Sequence, residues 1–280
     1  MKPILSIKSP FPWRFFAITF LWSWMLWLPL ALAGAGILPI GKDLLAGLTM
    51  PVTAIGAFGP AVGALVSLRT LKGKGAITAY LKTFLDFRFG WRAWIIPIAL
   101  IIGTTVVAWF TPELAGLSRL PSQLPVIWAL PPYWLAMVLF GGGQEEIGWR
   151  AYILPHLESR FGPWLGSVML GTVWACWHLP LWFMHGTNQA FMNFGGFVIL
   201  ALGYSLLFSW VRKAAGTRPL AAMVMHGTAN AFIAVFPVLV LIPGATQERF
   251  WIWVSLTFAA GILVMAISRL SRSPNNQSPV

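Results

Sequence analysis

Two adjacent carboxylates, Glu145 and Glu146, with Arg150 one helical turn beyond Glu146, stand in a chain in which only 9% of residues are charged. Seven of its 280 residues are acidic, and two of these are neighbours. An ionised carboxylate taken out of water costs several kcal/mol unless it is paired or used, so acids in apolar sequence are candidates for chemistry. Arg150 lies at i+4 from Glu146, the spacing of an ion pair on one helix face, which would hold that carboxylate ionised. Glu145, about 100° round the helix, faces elsewhere. Two acids in different surroundings can divide the work, and here Glu145 is expected to serve as a general base with Glu146 as its electrostatic support. His178, and His226 with Asn230 four residues later on one helix face, are the other polar groups inside apolar stretches.

The elements that must position these groups are membrane helices. The chain is 58% hydrophobic, with 17 Trp, 20 Phe and a mean hydropathy of +0.76, beyond what a soluble domain of this length carries. Its apolar residues fall in blocks of about 17 to 25, the length that crosses a hydrocarbon core of about 30 Å as helix. About eight blocks are expected to span, at 15–37, 44–68, 94–110, 125–142, 164–184, 194–211, 220–241 and 251–267. The period-two patterning of a membrane barrel is absent, so the fold class is all-α, a polytopic transmembrane bundle. Residues 1–272 are expected to form one domain with a motif-bearing core at 125–241, followed by a disordered tail at 273–280. Ala31-Leu32-Ala33 has the look of a signal cleavage site, but the apolar run continues to Ile40, so this stretch is taken as the first helix.

Basic residues orient such a bundle, because Lys and Arg accumulate in short cytoplasmic loops. An inside amino terminus places Lys2, Lys8, Arg14, Arg69, Lys72, Lys74, Lys82, Arg88, Arg92, Arg150, Arg160, Arg212, Lys213, Arg218, Arg269 and Arg272 on one side and leaves Lys42, Arg119 and Arg249 on the other. Sixteen against three predicts both termini in the cytoplasm and a plasma-membrane location. The net charge of +12 then follows from topology and attraction to anionic lipid, not from nucleic-acid binding. The polar loop from Arg69 to Trp91 is expected to be either an amphipathic segment at the inner interface or a solvated linker. Cys176 is the only cysteine, which excludes a disulfide within the chain and a cysteine metal cluster. His156 and His185, near span ends, are read as interfacial.

Depth connects the acids to the histidines. Glu146 lies 16 residues before Gly162 and His178 lies 16 after it, so an antiparallel hairpin turning at Gly162-Pro163 would set both at one level. That level is about 24 Å from the turn at about 1.5 Å per residue. The hairpin requires the fourth span to continue as helix through Glu145 toward Arg160, with weak points at Gly141-Gly142-Gly143 and Pro155.

Three segments, Glu145-Glu146-Ile147-Gly148-Trp149-Arg150, Trp174-Ala175-Cys176-Trp177-His178-Leu179-Pro180 and His226-Gly227-Thr228-Ala229-Asn230, resemble the ordered motifs of the CAAX protease and bacteriocin-processing family. These are intramembrane glutamic endopeptidases that include type II CAAX prenyl endopeptidase, the Ras-converting enzyme. The resemblance implies an eight-helix protease with a cavity open to the cytoplasm and the inner leaflet. Glu145 would match the glutamate that activates water, with His178, while His226 and Asn230 would match the pair that stabilises the oxyanion. Glu146 and Arg150 would match the supporting acid and arginine. The family often has Phe four residues before the second motif's histidine; Trp174 stands there and keeps an aromatic wall.

Peptide hydrolysis needs a nucleophile, a proton acceptor and donors aimed at the developing charge, and no Gly-x-Ser-x-Gly elbow supplies a serine. Carboxylate-activated water remains, with no cofactor and a membrane-embedded or membrane-associated peptide as substrate. Two other readings stay open. Glu145, His178 and His226 could be a three-ligand zinc site, although no His-Glu-x-x-His helix is present. The same groups could instead form a proton relay in a transporter or sit in a non-catalytic scaffold. Singly, His178 and Asn230 are as well explained by interhelical hydrogen bonds; the purely structural account weakens for the set together.

Overall fold

A computed structural model describes residues 11–270, with side-chain surroundings to 268. The tail at 273–280 and the bases Lys2, Lys8 and Arg272 lie outside the described residues. Among the described residues all regular structure is helical. The α1 helix (Trp13–Gly34) packs along α2 (Lys42–Gly56) and α3 (Gly59–Lys72), and a short α4 (Lys74–Lys82) leads to α5 (Trp91–Phe110). The shorter α6 (Leu130–Leu139) ends at a glycine run. The chain re-enters helix as a tight 3-10 turn (Gly143–Glu145), a single α turn α7 (Glu146–Gly148) and a widened π turn (Trp149–Ile153) that opens into α8 (Leu154–Trp177). Helices α9 (Phe194–Ala214), α10 (Leu220–Val235) and α11 (Glu248–Leu270) complete the bundle.

Five helical stretches are long and apolar enough to cross a membrane: α1, the α2–α3 run of 31 residues, α5 with its short extension, α9 and α11. This is a multi-pass membrane fold. The stretches expected at 125–142, 164–184 and 220–241 also fold as helices, but as the shorter α6, the second limb of α8 and α10. Those three shortened helices bring the candidate residues together. Backbone that leaves the helix at membrane depth must be satisfied by protein or line a cavity, so the short helices and the site share one cause.

The expected hairpin is present. Gly162, at φ 78°, interrupts α8, and the chain reverses there into Pro163. One part of the expectation fails: the fourth span does not run on through Glu145, because the backbone leaves the helix at Phe140 and Gly142 before re-entering it at Gly143. The run of glycines removes the side chains that would favour continuation.

Ion pairs collect at both ends of the bundle. At the hairpin end, Arg212 and Lys213 reach Glu158 at 2.7 and 2.9 Å, and Arg218 reaches Asp86 at 2.8 Å. Tyr80 on α4 donates to the Ile147 carbonyl, and Tyr80 and Phe84 are buried while Leu85 and Phe87 are exposed. The 69–91 connection is thus docked against the bundle, with apolar side chains also turned outward. At the opposite end, Arg119 pairs with Glu113 at 2.7 Å, and Arg249 donates to the carbonyls of Trp109 and Ser118, both at 2.9 Å. Arg119 and Arg249 thus lie at the end away from the hairpin, whereas Arg150, counted among the cytoplasmic bases, is fully buried inside the bundle against Glu146.

Candidate active site

The site begins where the helix breaks. Gly142 sits at φ 123°, a conformation that L side chains avoid, and its N–H donates to the Gln144 side chain at 2.8 Å. A Cβ there would lie 2.5 Å from Asn230 Nδ2 and 2.6 Å from His226 Nε2, so only glycine lets the backbone close over these two groups. Asn230 Nδ2 donates to the Gly141 carbonyl at 2.6 Å, tying α10 to the break.

The two acids face different partners, as their offset predicts. Glu145 Oε2 accepts a hydrogen bond from the Trp174 indole Nε1 at 2.7 Å. Glu146 Oε1 accepts from Arg150 at 3.0 Å and meets His226 Nδ1 at 2.7 Å. The Arg150 guanidinium lies 4.6 Å from the Trp174 ring and 4.9 Å from the Phe208 ring, and both it and Glu146 are 0% exposed. A fully buried charge pair needs such company, since the desolvation of each ion is otherwise uncompensated. The expected Glu146–Arg150 pair therefore forms, with the π turn following directly on it.

Hydrogen bonding sets the faces of the imidazoles. His178 Nδ1 lies 2.8 Å from the Trp174 carbonyl, which can only accept, so Nδ1 carries the proton and a neutral ring keeps Nε2 as an acceptor. His226 donates Nδ1–H to a carboxylate already bonded by Arg150, and its Nε2 is directed at Gly142. When that ring is protonated, Nε2–H becomes a donor balanced by Glu146 behind it.

Glu145, His178, His226 and Asn230 all line one cavity of about 390 Å³, together with Trp174, Tyr204 and apolar side chains of α2, α6 and α9. Glu145, at 4% exposure, reaches this space, whereas Glu146 and Arg150 are sealed behind it. Glu146, the acid that the hairpin was expected to set beside His178, instead meets His226. His178 is linked to the other acid through Trp174, whose indole holds Glu145 and whose carbonyl holds the imidazole.

Several expectations need amendment. The zinc alternative is not assembled: among the described residues no three His, Cys, Asp or Glu side chains group as metal ligands. His156 is fully buried within the protein, its ring edge-on to Phe11, while His185 is exposed. Sequence reasoning missed Trp174 as a partner of Glu145, taking it for a wall. The signal available was its indole N–H, which Phe lacks. The break falls at the glycine run expected to be weak, but Gln144, whose side chain accepts from the Gly142 N–H, was missed.

The fold and site together define a multi-pass helical membrane protein with a carboxylate, two imidazoles and an amide converging on one cavity. The family model described as type II CAAX prenyl endopeptidase Rce1-like matches residues 127–232, so the resemblance seen in the three motifs holds across that stretch. Among curated proteins, CAAX prenyl protease 2 of Methanococcus maripaludis is 26% identical over 102 residues. That match spans 34% of this chain and 38% of the relative, so the chain matches well under half of the relative's length. The matched region runs from the end of the α5–α6 connection into α10 and contains every candidate residue.

Proposed function

We propose that this chain is an intramembrane endopeptidase that hydrolyses a peptide bond of a membrane-associated protein with glutamate-activated water. The reading is carried by one observation: Glu145, His178, His226 and Asn230 share a cavity from which Glu146 and Arg150 are excluded. Glu145 takes a proton from water as the oxygen attacks the scissile carbonyl carbon, and the carbonyl π electrons move onto its oxygen. His226 Nε2–H and Asn230 Nδ2 donate to the oxyanion so formed, a placement worth about 2.7–4 kcal/mol per donor in comparable sites. The proton taken up by Glu145 passes through Nε2 of His178 to the departing amine as the oxyanion collapses and the C–N bond breaks, which returns Glu145 to its carboxylate and His178 to the neutral ring. Trp174 holds the Glu145 carboxylate in register, and Glu146, backed by Arg150, balances a protonated His226.

In this reading the protein uses no metal, works in the plasma membrane and draws its substrate from the bilayer through the apolar cavity. Purified protein in lipid nanodiscs should cleave a membrane-anchored peptide, Glu145→Gln should reduce that cleavage by at least about a thousandfold without loss of helicity, and a zinc chelator should leave the rate unchanged. Full activity of the Glu145→Gln protein rejects the base assignment. Chelator inactivation reversed by zinc restores the metal reading.

A further inference from the structure

The cavity and the basic loops lie at opposite ends of the bundle. The connections that line the cavity beyond the site lie at the end remote from the hairpin tip: Gln123 between α5 and α6, and Asn188, Gln189 and Met192 between α8 and α9, with Ala234 at the close of α10. On the hairpin side the site is shut. Trp149, Arg150 and Phe208 are 0% exposed, and Tyr152 and Leu68 are 1% exposed, forming a dry plug between the acids and the loops that carry Lys74, Lys82, Arg88, Arg160 and Arg212. The helix that bears Glu146 explains the offset, since about 24 Å of helix separates the acid from the turn at Gly162.

Two expectations therefore exclude each other: basic loops in the cytoplasm, and a catalytic cavity open to the cytoplasm. Charge decides between them. The cavity end carries Lys42, Arg119 and Arg249, and it carries Asp43, Glu113 and Glu248 as well, one acid for each base. Arg119 is held by Glu113, and Arg249 is buried on two carbonyls. The hairpin end carries Arg14, Arg69, Lys72, Lys74, Lys82, Arg88, Arg92, Arg160, Arg212, Lys213 and Arg218 against Asp86 and Glu158. Basic residues in short loops retain their side of the membrane in the cytoplasm.

We infer that the cavity opens away from the cytoplasm, and that the substrate is a translocated, membrane-anchored peptide whose scissile bond lies on or just below the outer face. This rests on the hydrolytic reading for the word substrate; the sidedness does not. The lip suits such a ligand. Gln123, Asn188 and Gln189 offer amides to an extended main chain, and exposed Met50 and Phe140 border the cavity on its flank, where an apolar anchor can lie in lipid.

The single native cysteine makes the test direct. In a Cys176→Ser background, Gln123→Cys and Asn188→Cys report the cavity lip and Lys74→Cys reports the basic end; all three positions are exposed. Intact cells are treated with a membrane-impermeant maleimide, then permeabilised cells are treated in parallel. The lip positions should label at least tenfold more than position 74 in intact cells, and all should label after permeabilisation. Labelling of position 74 but not of the lip in intact cells, or equal labelling of both, overturns the inference. A peptide anchored in the outer leaflet of the same cells supplies the second arm. Its cleavage by the parent, lost in Glu145→Gln, supports the inference, and cleavage only after permeabilisation counts against it. An outward lip with no cleavage even in nanodiscs would instead reject the hydrolytic reading and leave the sidedness standing.

Discussion

The ion pair between Glu146 and Arg150 offers a quantitative test of how the site is built. Both side chains are 0% exposed, and Arg150 makes one hydrogen bond to Glu146 at 3.0 Å while stacked against Trp174 and Phe208. Arg150→Met keeps much of the volume and removes the charge. It leaves Glu146 buried with His226 as its polar partner, and breaking a buried pair in this way costs about 3–5 kcal/mol. A loss of that size shifts the folding equilibrium by more than about a hundredfold, at tenfold per 1.4 kcal/mol. Glu146→Gln should cost a similar amount, because Arg150 then stands uncompensated between two rings.

The double variant, Glu146→Gln with Arg150→Met, has no orphaned charge. Its loss should therefore fall short of the sum of the single losses by about 1–3 kcal/mol. Denaturant unfolding of the four proteins in one lipid or detergent, followed by far-ultraviolet circular dichroism, measures the cycle. Additivity within about 0.5 kcal/mol would show that the two groups do not depend on each other and would refute the reasoning. The same set separates stability from chemistry. Because His226 rests on Glu146, the double variant should recover folding without recovering peptide cleavage.

Trp174→Phe removes the donor to Glu145 while keeping an aromatic wall. A hydrogen bond to a charged group is worth about 1.5–3 kcal/mol, so turnover should fall about tenfold to a hundredfold with KM little changed; an unaltered rate would mean that the indole only packs. His226→Ala and Asn230→Ala should each lower kcat by about a hundredfold or more and KM by little, measured under saturating substrate; a pure KM effect would move both groups to substrate binding. At the hairpin end, the backbone N–H of Arg88 and then the Arg218 side chain hold the Asp86 carboxyl below its ordinary 3.8. A depressed folded value means that the pairing stabilises the loop above the unfolded value and loses that contribution as pH falls through the folded one. Amide exchange across 83–90 should therefore quicken below about pH 4 in the parent and show no such step in Asp86→Asn, and a step that persists in the variant would assign it to another group.

Much of the site was legible because its spacing is set by helix geometry. The offset of one residue between Glu145 and Glu146 separates their partners, the i+4 spacing pairs Glu146 with Arg150, and equal distances from Gly162 bring His178 to the level of the acids. The bundle class followed from apolar blocks, though three of these proved to be short or broken helices. What could not be read was the choice among partners across helices. His226 bonds Glu146 and not Glu145, and this depends on how closely α10 approaches the break at Gly142, a distance that periodicity does not contain. The role of Trp174 was hidden for a related reason. In a chain with 17 tryptophans, packing explains most of them, and only the rotation of α8 shows which indole N–H meets a carboxylate.

The glycine break links these points into one physical account. A continuous helix through residues 139–146 would bond its own backbone groups and leave no carbonyl free at Gly141. Breaking it frees the Gly141 carbonyl, which anchors Asn230, and allows Gly142 to lie against His226 without a Cβ. The same break re-aims the following turn so that Glu145 reaches the cavity and Glu146 turns to Arg150 and His226. A membrane protein tolerates unpaired backbone only where a cavity or a protein donor meets it, so the cost of the break is offset by the very contacts that assemble the site. The short α6 is in this sense a condition of the chemistry: lengthening it by restoring helix-forming side chains at 141 and 142 would bury the cavity floor and separate the acid from the amide.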